Sequence, residues 1–172
     1  KRQISATMTQ VWFCSDLHLG HKNIGKFRSP LVTSEEENNI RILNDWNKYV
    51  TKRDVVFVLG DFCFDKELYD KLELPGFQKY LIRGNHDRFQ TSTYLKFFNE
   101  VEGLFKYKGF WLSHAPIHPD ELRGKPNLHG HVHYSSVPDE RYFNCCPENL
   151  WPKYGRCLVS LDEVRKHFDK PI

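Results

Sequence analysis

Seven side chains stand out by type and spacing. Asp16 and His18 are two residues apart, as are His131 and His133, while Asp61, Asn85 and His114 each follow a separate apolar run. Wherever the backbone is extended, residues two apart project to one side, so each pair can chelate. Together the seven offer two carboxylates, one amide and four imidazoles without a thiol, an inventory that suits Mn²⁺, Fe or Zn²⁺ better than Ca²⁺. Seven ligands exceed what one tetrahedral ion takes, which argues for two ions sharing a carboxylate. Two ions roughly 3.5–4 Å apart can hold a hydroxide and clamp the oxygens of an in-line displacement at phosphorus.

The elements that must position these groups are legible as apolar runs that end in polar motifs. Runs 10–14, 55–59, 79–82, 110–112 and 127–128 are rich in β-branched and aromatic residues and read as buried strands. Residues just past the carboxyl ends of such strands converge on one rim of an α/β sheet. Ser34 and Glu37 have capping-box spacing, and Ile40, Leu43, Trp46 and Val50 recur at helical intervals, so the pattern predicts a helix over 34–50. Its Glu35, Glu36 and Glu37 complement the helix dipole. Further helices are expected over 65–73, before Pro75 and Gly76, over 91–100 and over 161–168. Segments 104–107 and 110–113 flank a Lys-Gly turn as a hairpin, and later strands are expected near 131–137, 141–146 and 156–160. The order favours an α/β (α+β) fold: a mixed or two-sheet core with helices on its outer faces.

The chain has 172 residues and a mass of 20.5 kDa, enough for one compact core without help from disulfides or a structural metal. A single domain over 8–172 is expected, with residues 1–7, which precede the only methionine, as an extension or cloning remnant. No apolar run is long enough for a membrane span, and the N-terminus lacks the regions of a secretory signal. Five cysteines, an odd number without a CxxC pair, fit a reducing cytoplasm. The net charge of +3 is compatible with an anionic substrate but too weak to indicate nucleic acid by itself.

The motifs Asp16-x-His18, Gly60-Asp61, Gly84-Asn-His-Asp87, His114 and Gly130-His-x-His133, in that order, resemble those of the calcineurin-like metallophosphoesterases. The phrases around them further resemble a small, cap-free bacterial and phage branch. The resemblance implies a four-layer sandwich of two packed mixed sheets flanked by helices. It implies one ion on Asp16, His18, Asp61 and His133, a second on Asp61, Asn85, His114 and His131, and Asp61 as the bridge. It assigns His86 to the phosphoryl group or the leaving oxygen, with Asp87 orienting His86. The expected ions are two divalent transition metals, manganese first, with iron, zinc and nickel as alternatives. The expected activity is hydrolysis of a small, nucleotide-like phosphodiester or phosphomonoester. A protein serine/threonine phosphatase, a nuclease and a scaffold without catalysis stay open beside it. Arg28 and Arg83, whose guanidinium groups can meet phosphate bidentately, and His21, close behind the first motif, are candidate substrate contacts.

Overall fold

The computed structural model describes residues 8–169, so the expectation for residues 1–7 lies outside the described part of the chain. Strands β1 (Val11–Cys14), β2 (Val55–Val58), β3 (Gln78–Ile82) and β4 (Glu100–Glu102) run parallel, and β9 (Val159–Ser160) pairs antiparallel with β1. This sheet has the order β4-β3-β2-β1-β9. The second sheet, β5-β6-β7-β8, consists of β5 (Phe105–Tyr107), β6 (Phe110–Leu112), β7 (Asn127–His129) and β8 (Tyr142–Asn144), with only the β5–β6 pair antiparallel. Two mixed sheets flanked by helices are what the family resemblance implied, and they decide between the mixed and two-sheet cores that the pattern left open.

Strand alternation explains why the two sheets pack. Val11, Phe13, Phe57, Leu59 and Ile82 face Leu112, Leu128 and Phe143 of the second sheet. Their neighbours Trp12, Cys14, Val56, Val58 and Leu81 point the other way, toward helix α2 (Glu35–Tyr49) and the short helix α4 (Thr91–Tyr94). Phe13, Phe57 and Tyr80 stand opposite one another on β1, β2 and β3 with ring centroids 5.6 and 4.6 Å apart, so aromatic stacking fixes the register.

Helix α2 forms where the sequence places it, but its buried stripe is Asn38, Ile42 and Trp46, and Ile40 is exposed. Asn38 sets that rotation: its Nδ2 donates to the Leu17 carbonyl at 3.0 Å, beneath the loop carrying Asp16 and His18. Ser34 caps the helix, but Glu37 reaches back to Thr33 rather than to Ser34. The 65–73 expectation becomes helix α3 (Lys66–Lys71), capped by Asp65.

The helix expected over 91–100 stops at Tyr94. Thr91 and Thr93 are poor helix formers, Phe97 and Phe98 turn into the core against Phe62, and Glu100 already pairs with Tyr80 in the sheet. No strand forms at 131–137, because His131 and His133 have left-handed backbones (φ 72° and 53°) that cannot continue a ladder. Two helices were missing from the pattern: α1 (Ile24–Arg28) and α5 (Pro147–Tyr154); α6 (Leu161–Phe168) closes the described chain. No described helix is long and apolar enough to cross a membrane, and all five cysteines are buried and free.

Candidate metal centre

Five loops leave the carboxyl ends of β1, β2, β3, β6 and β7 and meet on one rim, each carrying one or two of the seven chosen side chains. The pairs do not chelate by extended alternation, as the spacing suggested. Asp16 (φ 51°), His18 (φ 48°), Asp61 (φ 53°), His131 and His133 all lie in the left-handed region, which costs a residue with a Cβ about 1–2 kcal/mol. Ladder-like bonds between loops hold them there: Asp16 N donates to Gly60 O at 2.9 Å, His18 N to Asp61 O at 3.0 Å and Leu19 N to Phe62 O at 3.0 Å.

Each carboxylate is oriented by one oxygen so that the other faces the centre. Asp16 Oδ2 accepts from Ser15 Oγ (2.5 Å), His131 N (2.8 Å) and Cys146 Sγ (3.4 Å). Its Oδ1 then lies 3.5 Å from both His18 Nε2 and His133 Nε2. Asp61 Oδ1 accepts from His86 N at 2.9 Å, and its Oδ2 lies 3.6 Å from His18 Nε2 and 3.4 Å from His114 Nε2. His114 Nε2 in turn lies 2.9 Å from Asn85 Oδ1 and 3.2 Å from His131 Nδ1. All seven candidates therefore converge, in two groups that meet at Asp61 Oδ2.

The charge balance fits a cation site. Burial alone would raise the Asp16 carboxyl, but the His18 hydrogen bond and the charges of His114, His18 and His133 hold it well below the usual range. Asp61 is likewise kept low, against its burial, by its bond to His114. The His18 imidazole is pushed down because burial outweighs its Asp16 contact, and its Nδ1 is buried without a hydrogen-bond partner. At His114 the balance is reversed: burial is outweighed by the Asp61 bond and by the Asp16 and Asp61 charges, lifting it to about 9. Two ionised carboxylates thus draw a proton onto a neighbouring imidazole, the demand that divalent cations would meet.

Backbone closeness here requires glycine at Gly130. A Cβ there would overlap Ser15 Oγ and Asp16 Oδ2, both fixed by hydrogen bonds. Gly130→Ala is expected to cost about 1–3 kcal/mol through overpacking and to displace the Asp16 carboxylate. Thermal unfolding together with Mn²⁺ titration would check this; wild-type values in both would show that the loop yields freely.

Arg28 and Asp87 do not take the parts expected of them, and Arg83 already bonds within its own loop. Arg28 is wholly buried: Nη2 donates to Asp16 O (2.5 Å), Nη1 to Asn38 Oδ1 (2.8 Å) and Nε to Glu148 Oε1 (2.5 Å), leaving nothing for a phosphate. Arg83 is committed to its own loop, donating to the carbonyls of Asp87 (2.9 Å) and Phe89 (2.6 Å) and to Thr91 Oγ1 (3.0 Å). Asp87 does not orient the His86 ring. Its carboxylate accepts from the backbone of Gly84 (2.7 Å), Asp61 (2.8 Å) and Phe62 (3.0 Å), tying the β2 and β3 loops together.

His86 is exposed at the mouth, its ring 6.2 Å from that of His18 and 5.4 Å from Phe64. His21 lies on the same rim, 5.5 Å from the His18 ring and 5.9 Å from Phe27. His129 is buried with Nδ1 2.9 Å from Gly130 O. Sequence reasoning missed Ser15 and Cys146, which touch Asp16, and Glu148, which touches His133.

Two mixed sheets with a carboxylate–imidazole cluster at their strand ends make a site of the kind that metal-dependent hydrolases use. The family model described as calcineurin-like phosphoesterase matches residues 9–167. An uncharacterized protein of Methanocaldococcus jannaschii is 30% identical, over 92% of this chain and 85% of that one. The Gene 66 protein of Mycobacterium phage L5 is 37% identical, over 91% of this chain and 93% of its own length. The crystal structure of a protein of unknown function from Aquifex aeolicus superposes with a TM-score of 0.69 at 26% identity, over 92% of this chain and 99% of that one. The chain belongs to the calcineurin-like phosphoesterase family. Membership implies hydrolysis of phosphoesters with the help of divalent metal ions.

Proposed function

We propose that the centre holds two divalent transition-metal ions, manganese foremost, and hydrolyses nucleotide-like phosphodiesters and phosphomonoesters. The observation that carries this reading is the reach of Asp61 Oδ2 to both His18 Nε2 and His114 Nε2, with Asp16 and His133 next to His18 and with Asn85 and His131 next to His114. When bound, such ions offset the negative charge of a phosphoester and lower the pKa of the attacking water.

The chain's own residues supply the rest. Asp61 holds the two donor groups in one arrangement through Oδ2 while its Oδ1 anchors the His86 backbone. Asn85 contributes an oxygen without adding negative charge beside an anionic substrate. His86 is outside the donor cluster and exposed, free to give a proton to the departing alkoxide. Asp87 fixes the loop that carries His86 rather than the ring itself.

Metal analysis of the purified protein, followed by assay with Mn²⁺ on paired aryl phosphomonoester and diester substrates and a nucleotide panel, tests the proposal. Diester turnover is expected to be at least comparable with monoester turnover; monoesterase-only behaviour would reject that preference, and no bound metal would reject the centre. His86→Ala should slow an alkyl ester by about 10²-fold or more but an activated nitrophenyl ester far less, since general-acid help matters most for poor leaving groups. Equal losses on both esters would remove His86 from the proton-donor role.

A further inference from the structure

We infer that Glu148 is a positioning residue of the centre, fixing the tautomer and direction of His133 while Arg28 balances its charge. The inference rests on the reading of the centre as a cation site and adds to it a residue outside all five motifs.

His133 is the least enclosed member of its group. Its side chain keeps 35% of its surface exposed, against 7% for His18, and its backbone is left-handed, so packing alone does not aim the ring. Glu148 supplies the aim. Its Oε1 and Oε2 lie 3.1 and 3.3 Å from His133 Nδ1. A carboxylate at those distances accepts a hydrogen bond from Nδ1, which turns Nε2 toward Asp16 Oδ1, 3.5 Å away, where a cation would meet it. His114 is set the same way by a different acceptor, its Nδ1 lying 2.7 Å from the Leu59 carbonyl with Nε2 toward Asp61.

Glu148 can act as a fixed reference because it is itself immobile. Its side chain is 1% exposed, and it occupies the first turn of α5 directly after Pro147. Glu148 is a buried carboxylate, and the Arg28 charge helps to keep it ionised. That guanidinium is fully buried, joins Glu148 Oε1 at 2.5 Å and clamps the Asp16 carbonyl at 2.5 Å. One planar cation therefore couples the residue that aims His133 to the backbone of Asp16.

The alternative is that Glu148 merely neutralises Arg28, and Mn²⁺ binding separates the two roles. In calorimetric titration of the whole chain with MnCl₂, Glu148→Gln should weaken one of two binding events by about 10–100-fold and leave the other near the wild-type value. Glu148→Asp keeps the charge that Arg28 needs but shortens the reach to His133, so it should fold normally and show the same selective weakening. The Nδ1–H resonance of His133 should shift or vanish in both variants. On a His133→Ala background, Glu148→Asp should cause no further loss. Wild-type Mn²⁺ affinities in Glu148→Asp, or a full additional loss on the His133→Ala background, would overturn the inference alone. A wild-type chain that binds no Mn²⁺ would overturn it together with the two-ion reading.

Discussion

Asp61→Asn is expected to fold and to lose turnover by at least about 10³-fold, the equivalent of some 4 kcal/mol of transition-state stabilisation. The amide is nearly isosteric and can keep one oxygen on the His86 backbone amide, so the loop at the end of β3 stays in place. What disappears is the charged Oδ2 between His18 and His114, the atom on which both donor groups converge. Removing it relieves a repulsion with Asp16 but also loses the His114 contact that holds the Asp61 carboxyl low, so metal-free stability near neutral pH should fall modestly. Manganese titration should show the second ion lost and the first weakened. An independent readout is His114, whose imidazole is lifted to about 9 partly by Asp61 and should titrate lower in the metal-free variant. Full turnover with two ions still bound would remove Asp61 from the shared position.

How much of this could be read from the chain alone differs residue by residue. The seven donors were legible because each follows an apolar run, and strand ends must converge wherever parallel strands share a rim. The means of their convergence was hidden: nothing in the letters Asp-x-His says that both residues take left-handed backbones, because that conformation is imposed by bonds to Gly60, Asp61 and Phe62 from another loop. The phase of α2 escaped for a related reason. Ile40 matched the apolar spacing, but a buried amide, Asn38, with a carbonyl to satisfy on the Asp16 loop decided which face turned inward.

Glu148 shows where a sound local rule gives the wrong answer. Pro147 at the first helical position and Gly155 (φ 71°) after the last turn do mark a helix over 147–154. An acidic residue in a first turn is ordinarily there for the helix dipole, and for the exposed Glu36 of α2 nothing more is needed. Only tertiary placement reveals that Glu148 faces a buried arginine from a five-residue helix too short to leave a periodic signal.

Arg28→Met should therefore be a folding mutation and not a binding mutation. The substitution strands the Glu148 carboxylate at 1% exposure and leaves the Asp16 carbonyl and Asn38 Oδ1 without their donor. Breaking one side of a buried pair costs about 3–5 kcal/mol. For a chain of this size each kcal/mol lowers the melting temperature by about 2–4 °C, so a fall of roughly 6–20 °C is expected in differential scanning calorimetry. Arg28→Lys should recover only part of it, since an ammonium cannot present the planar fork that serves Glu148, Asn38 and the Asp16 carbonyl together. Arg28→Met combined with Glu148→Gln should be more stable than Arg28→Met alone, because the stranded charge is gone, yet should still bind Mn²⁺ weakly because His133 has lost its guide. A phosphate-gripping Arg28 predicts the opposite pattern: an unchanged melting temperature and a raised KM. A wild-type melting temperature in Arg28→Met would contradict the buried network.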